Sequence, residues 1–249
     1  MSFRPDSPVA DAVLASPNHG KRRRAVDLLL LHYTGMPSSQ GALEWLRDPR
    51  SQVSAHYFVF EDGRVIQLVP EERRAWHAGI ASWAGEADVN SRSIGIEIAN
   101  PGHDHGYADF PMEQMHAVAA LCRDIVRRHA IRPELVLAHS DVAPSRKRDP
   151  GEKFDWAWLG RQHVGLWVEP APVEDGGLRE GDEGAAVAAL QAGLAAYGYD
   201  VAASGRFDRA TADAVTAFQR HFRPARVDGV ADASVCETLR RLLAARGLA

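Results

Sequence analysis

The segment AHSDVAPSRKRDPG, residues 138–151, places one histidine, two aspartates, one lysine and two arginines directly after the apolar run LVL. Asp149 precedes Pro150, which biases it toward extended backbone, and Asp-Pro-Gly then turns the chain. Residues two apart in an extended segment point the same way. Lys147 and Asp149 are therefore expected on one side, and Arg146 and Arg148 on the other. An exposed basic loop would account for the arginines but not for the rigid turn. A loop that leaves His139 and returns can instead bring Asp149 back to the same point.

The chain has 11 histidines, which must be sorted before any is given chemistry. His19 falls in an N-terminal loop. His116, His129, His163 and His221 fall on or near helix surfaces and are expected to be solvated. His103 and His105, in NPGHDHGY, could chelate a metal, but glycine-rich loops often carry such polar pairs. His32, His56, His77 and His139 remain. His32 ends the apolar run DLLLLH and His139 ends ELVLAH. In a sheet with helical crossovers, ligands gather beyond the carboxyl ends of the strands, so these two rings could face one point. With Asp149 as third donor they make a His-His-carboxylate set suited to zinc, with one position left open.

Several elements must position these groups. Residues 26–34, VDLLLLHYT, read as a buried strand. Residues 54–60 and 64–69 flank a Glu-Asp-Gly turn and predict a hairpin. SIGIEIAN, 93–100, is a strand with Ile94, Ile96 and Ile98 on one face and Gly95, Glu97 and Ala99 on the other. From Glu113 to His129 the period becomes helical, with a stripe of Met115, Val118, Cys122, Ile125 and Val126. ELVLAH, 134–139, is again a strand. The expected fold class is α/β (α+β): a mixed central sheet flanked by helices, followed by a small C-terminal three-helix bundle. Residues 168–176 lose periodicity and read as a linker. This divides the chain into 1–167, a linker, and 177–249. In the last part, helical spacing links Val187, Leu190, Leu194 and Tyr197. It also links Ala214, Val215, Phe218 and Phe222, and then Val235, Leu239 and Leu242. Asp208 caps the second helix, and Asp232 or Ser234 the third. The lead-ins SGRFDRAT and DGVADAS form a weak internal repeat.

Bulk properties exclude several classes. The chain has 249 residues, with 45% apolar and 25% charged side chains, ordinary for a globular protein. A net charge of −4 argues against strong nucleic-acid or anionic-membrane partners. The KRRR cluster at 21–24 reads as a solvated loop before a strand. Two distant cysteines make neither a disulfide framework nor a C-x-x-C metal pair. The longest apolar run, Val26 to Leu31, is broken by Asp27 and too short to span a bilayer. The N-terminus lacks the pattern of a signal peptide, which favours a cytoplasmic location, with the periplasm as the alternative. A monomer is expected.

The ordered segments LHYTG, VSAHYFVFEDG, LVPEERRAWHAGI, NSRSIGIEIAN and LAHSDVAPSRKRDPG span residues 31–151. Together they resemble the zinc-dependent N-acetylmuramoyl-L-alanine amidases of the type 2 family, relatives of phage T7-type lysozyme and of the peptidoglycan recognition proteins. The resemblance implies that His32, His139 and Asp149 bind one Zn2+ per chain, that Glu97 and Lys147 assist catalysis, and that the partners are peptidoglycan or muropeptide fragments. Asp149 stands where some relatives carry a cysteine. The RAWHAG stretch looks closest to muropeptide-cleaving enzymes of cell-wall recycling, which act on 1,6-anhydro forms. Residues 177–249 resemble the small peptidoglycan-binding domain often fused to wall hydrolases.

On this resemblance, Glu97 would shuttle a proton from water to the leaving amine, and Lys147 would neutralise the tetrahedral oxyanion. The plainer alternatives are a carboxylate paired to arginine and a surface lysine. His56 and His77 are left between structural and supporting roles. Tyr33 and Trp76 could stack on substrate or belong to the core or rim. Asn90 could bind the peptide stem or form a strand-entry turn. A non-catalytic wall-recognition protein is the competing class, but such proteins lose zinc ligands, and all are present here.

Overall fold

The computed structural model describes residues 3–248. Its centre is a six-stranded sheet. In chain order the strands are β1 (Ala12–Val13), β3 (Leu28–Tyr33), β4 (Tyr57–Val59), β5 (Val65–Gln67), β7 (Ser93–Ile98) and β8 (Val136–Ala138); β2 (His19–Lys21) and β6 (Arg73–Ala75) make a separate antiparallel pair. The spatial order is β1-β5-β4-β7-β3-β8. Within this sheet, among the described residues, only the β4–β5 hairpin is antiparallel; β1 pairs β5, and β4, β7, β3 and β8 pair in succession, all in parallel. The sheet is therefore mixed, as the sequence predicts. Leu28 to Leu31 are all fully buried, each contributing about 1.5–3 kcal/mol of apolar burial. That anchors β3 firmly beneath the side chain at its end.

Among the described residues there are eight α-helices: α1 (Ser39–Arg47), α2 (Val89–Arg92), α3 (Met112–His129), α4 (His139–Val142), α5 (Trp156–Arg161), α6 (Ala185–Tyr197), α7 (Arg209–Phe222) and α8 (Ala233–Ala245). Helix α3 buries the expected Met115, Val118, Cys122 and Ile125; Val126 is only partly buried. Helix α1 was not anticipated. Ser38 caps it by accepting from the Gly41 amide, and Ala42, Leu43 and Leu46 face inward.

Three expectations are corrected. His139 does not end a strand but begins the one-turn helix α4. His221 is not solvated: it is 2% exposed, stacked between Trp156 and Phe222. Within KRRR, Arg22 turns inward and donates to the carbonyls of Glu71, Ser91, Ser93 and Arg73. Burial lowers its pKa to about 10.

The three C-terminal helices form, with Asp208 and Asp232 as side-chain caps. The weak repeat has a physical basis. Buried Gln191 accepts from the Gly205 amide, and buried Gln219 accepts from the Gly229 amide. Each glutamine thus pins the glycine turn that leads into the next helix. The bundle does not stand apart, however. Its apolar side chains join those of the sheet in one continuous core, with Trp83 packed edge-on against Tyr197 and Tyr199. The 168–176 segment lies along α8, where Ala171 bonds Thr238 and Ser234.

Candidate active site

At the carboxyl ends of β3 and β8 the two histidines and the aspartate meet. Nδ1 of His32 lies 2.9 Å from Nδ1 of His139 and 3.1 Å from Oδ2 of Asp149; His139 Nδ1 to Asp149 Oδ2 is 2.9 Å. All three residues are buried. Zinc ligands at roughly 2.0–2.2 Å in a tetrahedral site stand about 3.3 Å apart. The triangle is only slightly tighter than one face of such a site.

The surrounding hydrogen bonds settle which atoms are lone pairs. His139 Nε2 lies 3.0 Å from the Ala78 carbonyl, so in the neutral ring the proton sits there and Nδ1 is the lone pair that faces Asp149. His32 Nε2 lies 3.0 Å from His77 Nδ1. His77 Nε2 in turn faces Ser93 Oγ at 3.3 Å, and that hydroxyl donates to the Val89 carbonyl at 2.7 Å. Passing one proton in sequence along this chain leaves His32 Nδ1 as a lone pair. Burial, reinforced by His139, lowers the His32 pKa to about 4, so the ring is neutral. Two imidazole lone pairs and a carboxylate oxygen converging at about 3 Å repel one another unless a cation lies between them. The donor set therefore fits a divalent metal.

Glu97 pairs directly opposite His32 in the β3–β7 register and so shares its face. Its Oε2 is sealed from solvent and has no hydrogen-bond partner among the described residues. Burial, then the nearby Asp149, raises its carboxyl well above the ordinary glutamate value, against the pull of Lys147. Glu97, Lys147, His139 and Asp149 line one cleft of about 370 Å³. Tyr33 and Trp76 line it as well, half-buried, as the sequence allows. Its apolar wall comes from Met36, Ala42, Trp45, Leu46 and Val53. Trp45 and that wall lie outside the sequence expectations because α1 does; Ser38 ahead of Ala42, Leu43 and Leu46 at helical spacing is the signal that could have found them. Arg146 and Arg148 also line the cleft, contrary to the expectation that they face away from Lys147 and Asp149. Residues 144–146 form a turn rather than an extended run, so alternation does not apply there.

His77 supports the site as described. His56 does not reach the three donors: its Nδ1 accepts from the Gly95 amide and its Nε2 faces the Arg73 carbonyl, both at 3.0 Å. Burial and Arg22 lower its pKa to about 3. Asn90 is buried, and its Oδ1 accepts from the His77 and Ala78 amides. That fixes the loop carrying His77 and leaves the peptide-stem role without support. His103 bonds Tyr33 and Glu152 instead of pairing with His105 around a metal.

Residues 22–152 match the N-acetylmuramoyl-L-alanine amidase family, and residues 183–239 match a peptidoglycan binding domain. The chain is 39% identical over 221 residues to the N-acetylmuramoyl-L-alanine amidase AmiD of Escherichia coli strain K12, covering 84% of this chain and 79% of that protein. It is 34% identical over 148 residues to the 1,6-anhydro-N-acetylmuramyl-L-alanine amidase AmpD of Citrobacter freundii, covering 52% of this chain and 76% of AmpD. The solved complex of E. coli AmiD with anhydro-N-acetylmuramic acid-L-Ala-D-gamma-Glu-L-Lys superposes with a TM-score of 0.77 at 35% identity, covering 93% of this chain and 99% of that one. AMPDH3 of Pseudomonas aeruginosa with an anhydromuramic pentapeptide gives 0.74 at 29%, covering 98% and 96%. Family, fold and the cluster of donors agree along the whole catalytic segment, and the chain belongs to the N-acetylmuramoyl-L-alanine amidases.

Proposed function

We propose that this chain is a zinc-dependent amidase that hydrolyses the bond between the lactyl group of N-acetylmuramic acid and L-alanine, taking muropeptides that include the 1,6-anhydro form. The observation that carries this reading is the unpartnered Oε2 of Glu97 beside the His32–His139–Asp149 triangle. Glu97 lines the same cleft as His139 and Asp149, so its carboxyl stands where a water held between them can pass it a proton. A zinc ion held by the three donors would supply Lewis acidity and lower the pKa of that water.

The chain's own groups do the rest. Glu97 takes the proton of the attacking water and delivers it to the leaving amine of L-alanine. Lys147, in the same cleft, meets the negative charge that develops on the carbonyl oxygen. His77 and the Ala78 carbonyl hold the two imidazoles in the tautomer that points Nδ1 at the centre. Tyr33, Trp45 and Trp76 offer flat faces on which a sugar or the peptide stem can lie. Residues 1–167 would carry the chemistry, and 177–249 would hold wall fragments.

The test is to incubate the zinc-loaded chain with a soluble anhydro-muropeptide and, separately, with intact sacculi, and to identify products by mass spectrometry. Free peptide beginning at L-alanine, together with peptide-free anhydromuramic sugar, is expected from the first substrate. Cleavage elsewhere in the stem, or none, defeats the reading.

A further inference from the structure

Helix α4 is a single turn, too short to hold its own geometry, yet it starts with His139. The amide of Ser140, its second residue, donates to the carbonyl of Asp149 at 3.0 Å. The amides of Arg146 and Lys147 both donate to the carbonyl of Ala143, the residue that caps it. Any movement of this turn thus displaces two of the three metal donors and the cleft lysine together.

The turn is held from the C-terminal bundle. Asp141, on α4, is 1% exposed. Its Oδ2 accepts from the Ala138 amide at 2.8 Å and lies 2.7 Å from His221 Nδ1; its Oδ1 accepts from the Tyr199 hydroxyl at 2.6 Å. The two outer donors are themselves fixed. The His221 ring is clasped between Trp156 and Phe222, each with centroids 3.7 Å away. Tyr199 packs edge-on against Trp83, with centroids 5.1 Å apart. The backbone closes the same contact, since the Ala84 amide donates to the Gly198 carbonyl and the Ser82 amide to the Val142 carbonyl.

Resting on the zinc reading of the site, we propose that Tyr199 and His221 are positioning residues of the active site: they clamp Asp141 and thereby fix the turn that sets His139, Asp149 and Lys147. On this account the bundle is a buttress of the metal centre as well as a wall-binding unit. A contact that only adds stability would not single out a buried carboxylate on the ligand-bearing turn.

The experiment uses the full-length chain and measures zinc affinity by competition with a chromophoric chelator, together with the visible spectrum of the Co2+-substituted protein. The variants are Tyr199→Phe and His221→Phe, which keep the rings and lose the polar contacts, and Val187→Ala, which weakens the bundle core away from Asp141. Tyr199→Phe and His221→Phe are expected to bind zinc about tenfold or more weakly and to alter the Co2+ spectrum. Val187→Ala should keep both at wild-type values. If His221→Phe does not fold, Tyr199→Phe decides alone. Wild-type zinc affinity and spectrum in Tyr199→Phe, or an equal loss in Val187→Ala, overturns the proposal. A wild-type chain that binds no zinc overturns the zinc reading itself, and this inference with it.

Discussion

Nε2 of His32 lies 3.0 Å from Nδ1 of His77, and that contact decides which edge of the His32 ring is left to face Asp149. The arrangement depends on a glycine. A Cβ at Gly95 would stand 2.5 Å from the His77 ring, inside any real contact distance.

Zinc binding should therefore fall in two grades. His32→Ala, His139→Ala and Asp149→Ala each remove a donor and should abolish stoichiometric zinc, measured by metal analysis after dialysis. His77→Phe and Gly95→Ala leave all three donors in place and should weaken zinc by about 10–100-fold. Full metal occupancy in all three alanine variants would refute the ligand assignment.

Glu97→Gln and Lys147→Ala remove proton transfer and oxyanion neutralisation without touching a donor. Turnover of a soluble muropeptide should drop by at least about 10²-fold in each. Zinc content and muropeptide binding, read by calorimetry, should persist. Near-normal turnover in either variant removes that residue from the mechanism.

The Glu97 carboxyl is raised in the folded state, chiefly by burial. Over the window from its ordinary value up to that raised value, the folded chain binds more protons than the unfolded one. Its contribution to stability is therefore present at low pH and lost as pH rises through that window. Glu97→Gln has no such loss. In chelator-treated protein it should show a higher Tm than wild type at neutral pH, with the difference shrinking toward pH 4. A lower Tm at neutral pH would mean that Glu97 is satisfied in a way the hydrogen bonds do not reveal.

Truncation after residue 170 tests the union of the two units. A tethered bundle would leave cleavage of small muropeptides intact and weaken only action on insoluble wall. The shared core and the Asp141 contacts predict otherwise. The fragment would uncover Trp83 and leave Asp141 with one of its three donors, so it should be poorly soluble or lose most of its activity on a soluble muropeptide. Wild-type rates from a well-folded fragment would restore the tether.

The strands and the meeting of His32, His139 and Asp149 were legible because each depends on local pattern. Four consecutive leucines before His32 admit few environments other than a buried strand, and Asp-Pro-Gly admits few shapes. Glu97 was legible from parity with the isoleucines. What stayed hidden depends on long-range pairing. Nothing distinguishes Arg22 from its three basic neighbours until β2 is laid against β6. Asn90 answers amides 12 and 13 residues earlier in the chain. His221 is the instructive miss, since Ala214, Phe218 and His221 fall at i, i+4 and i+7 on one helical face. A titratable residue on an apolar stripe needed a buried partner, and Asp141, 80 residues upstream, supplies it.

His32 and Glu97 face each other in register on two central strands, whereas His139, Lys147 and Asp149 hang on the turn and loop beyond β8. The two halves of the site are therefore expected to open separately. Amide protons of 29–32 and 94–97 are protected by the whole fold and should exchange only when the chain unfolds. Those of 139–149 are protected by one turn and by the bundle, and should exchange through a smaller opening. On warming, the enzyme would lose its chemistry before it loses its sheet, and on cooling it would regain activity by re-docking that one segment.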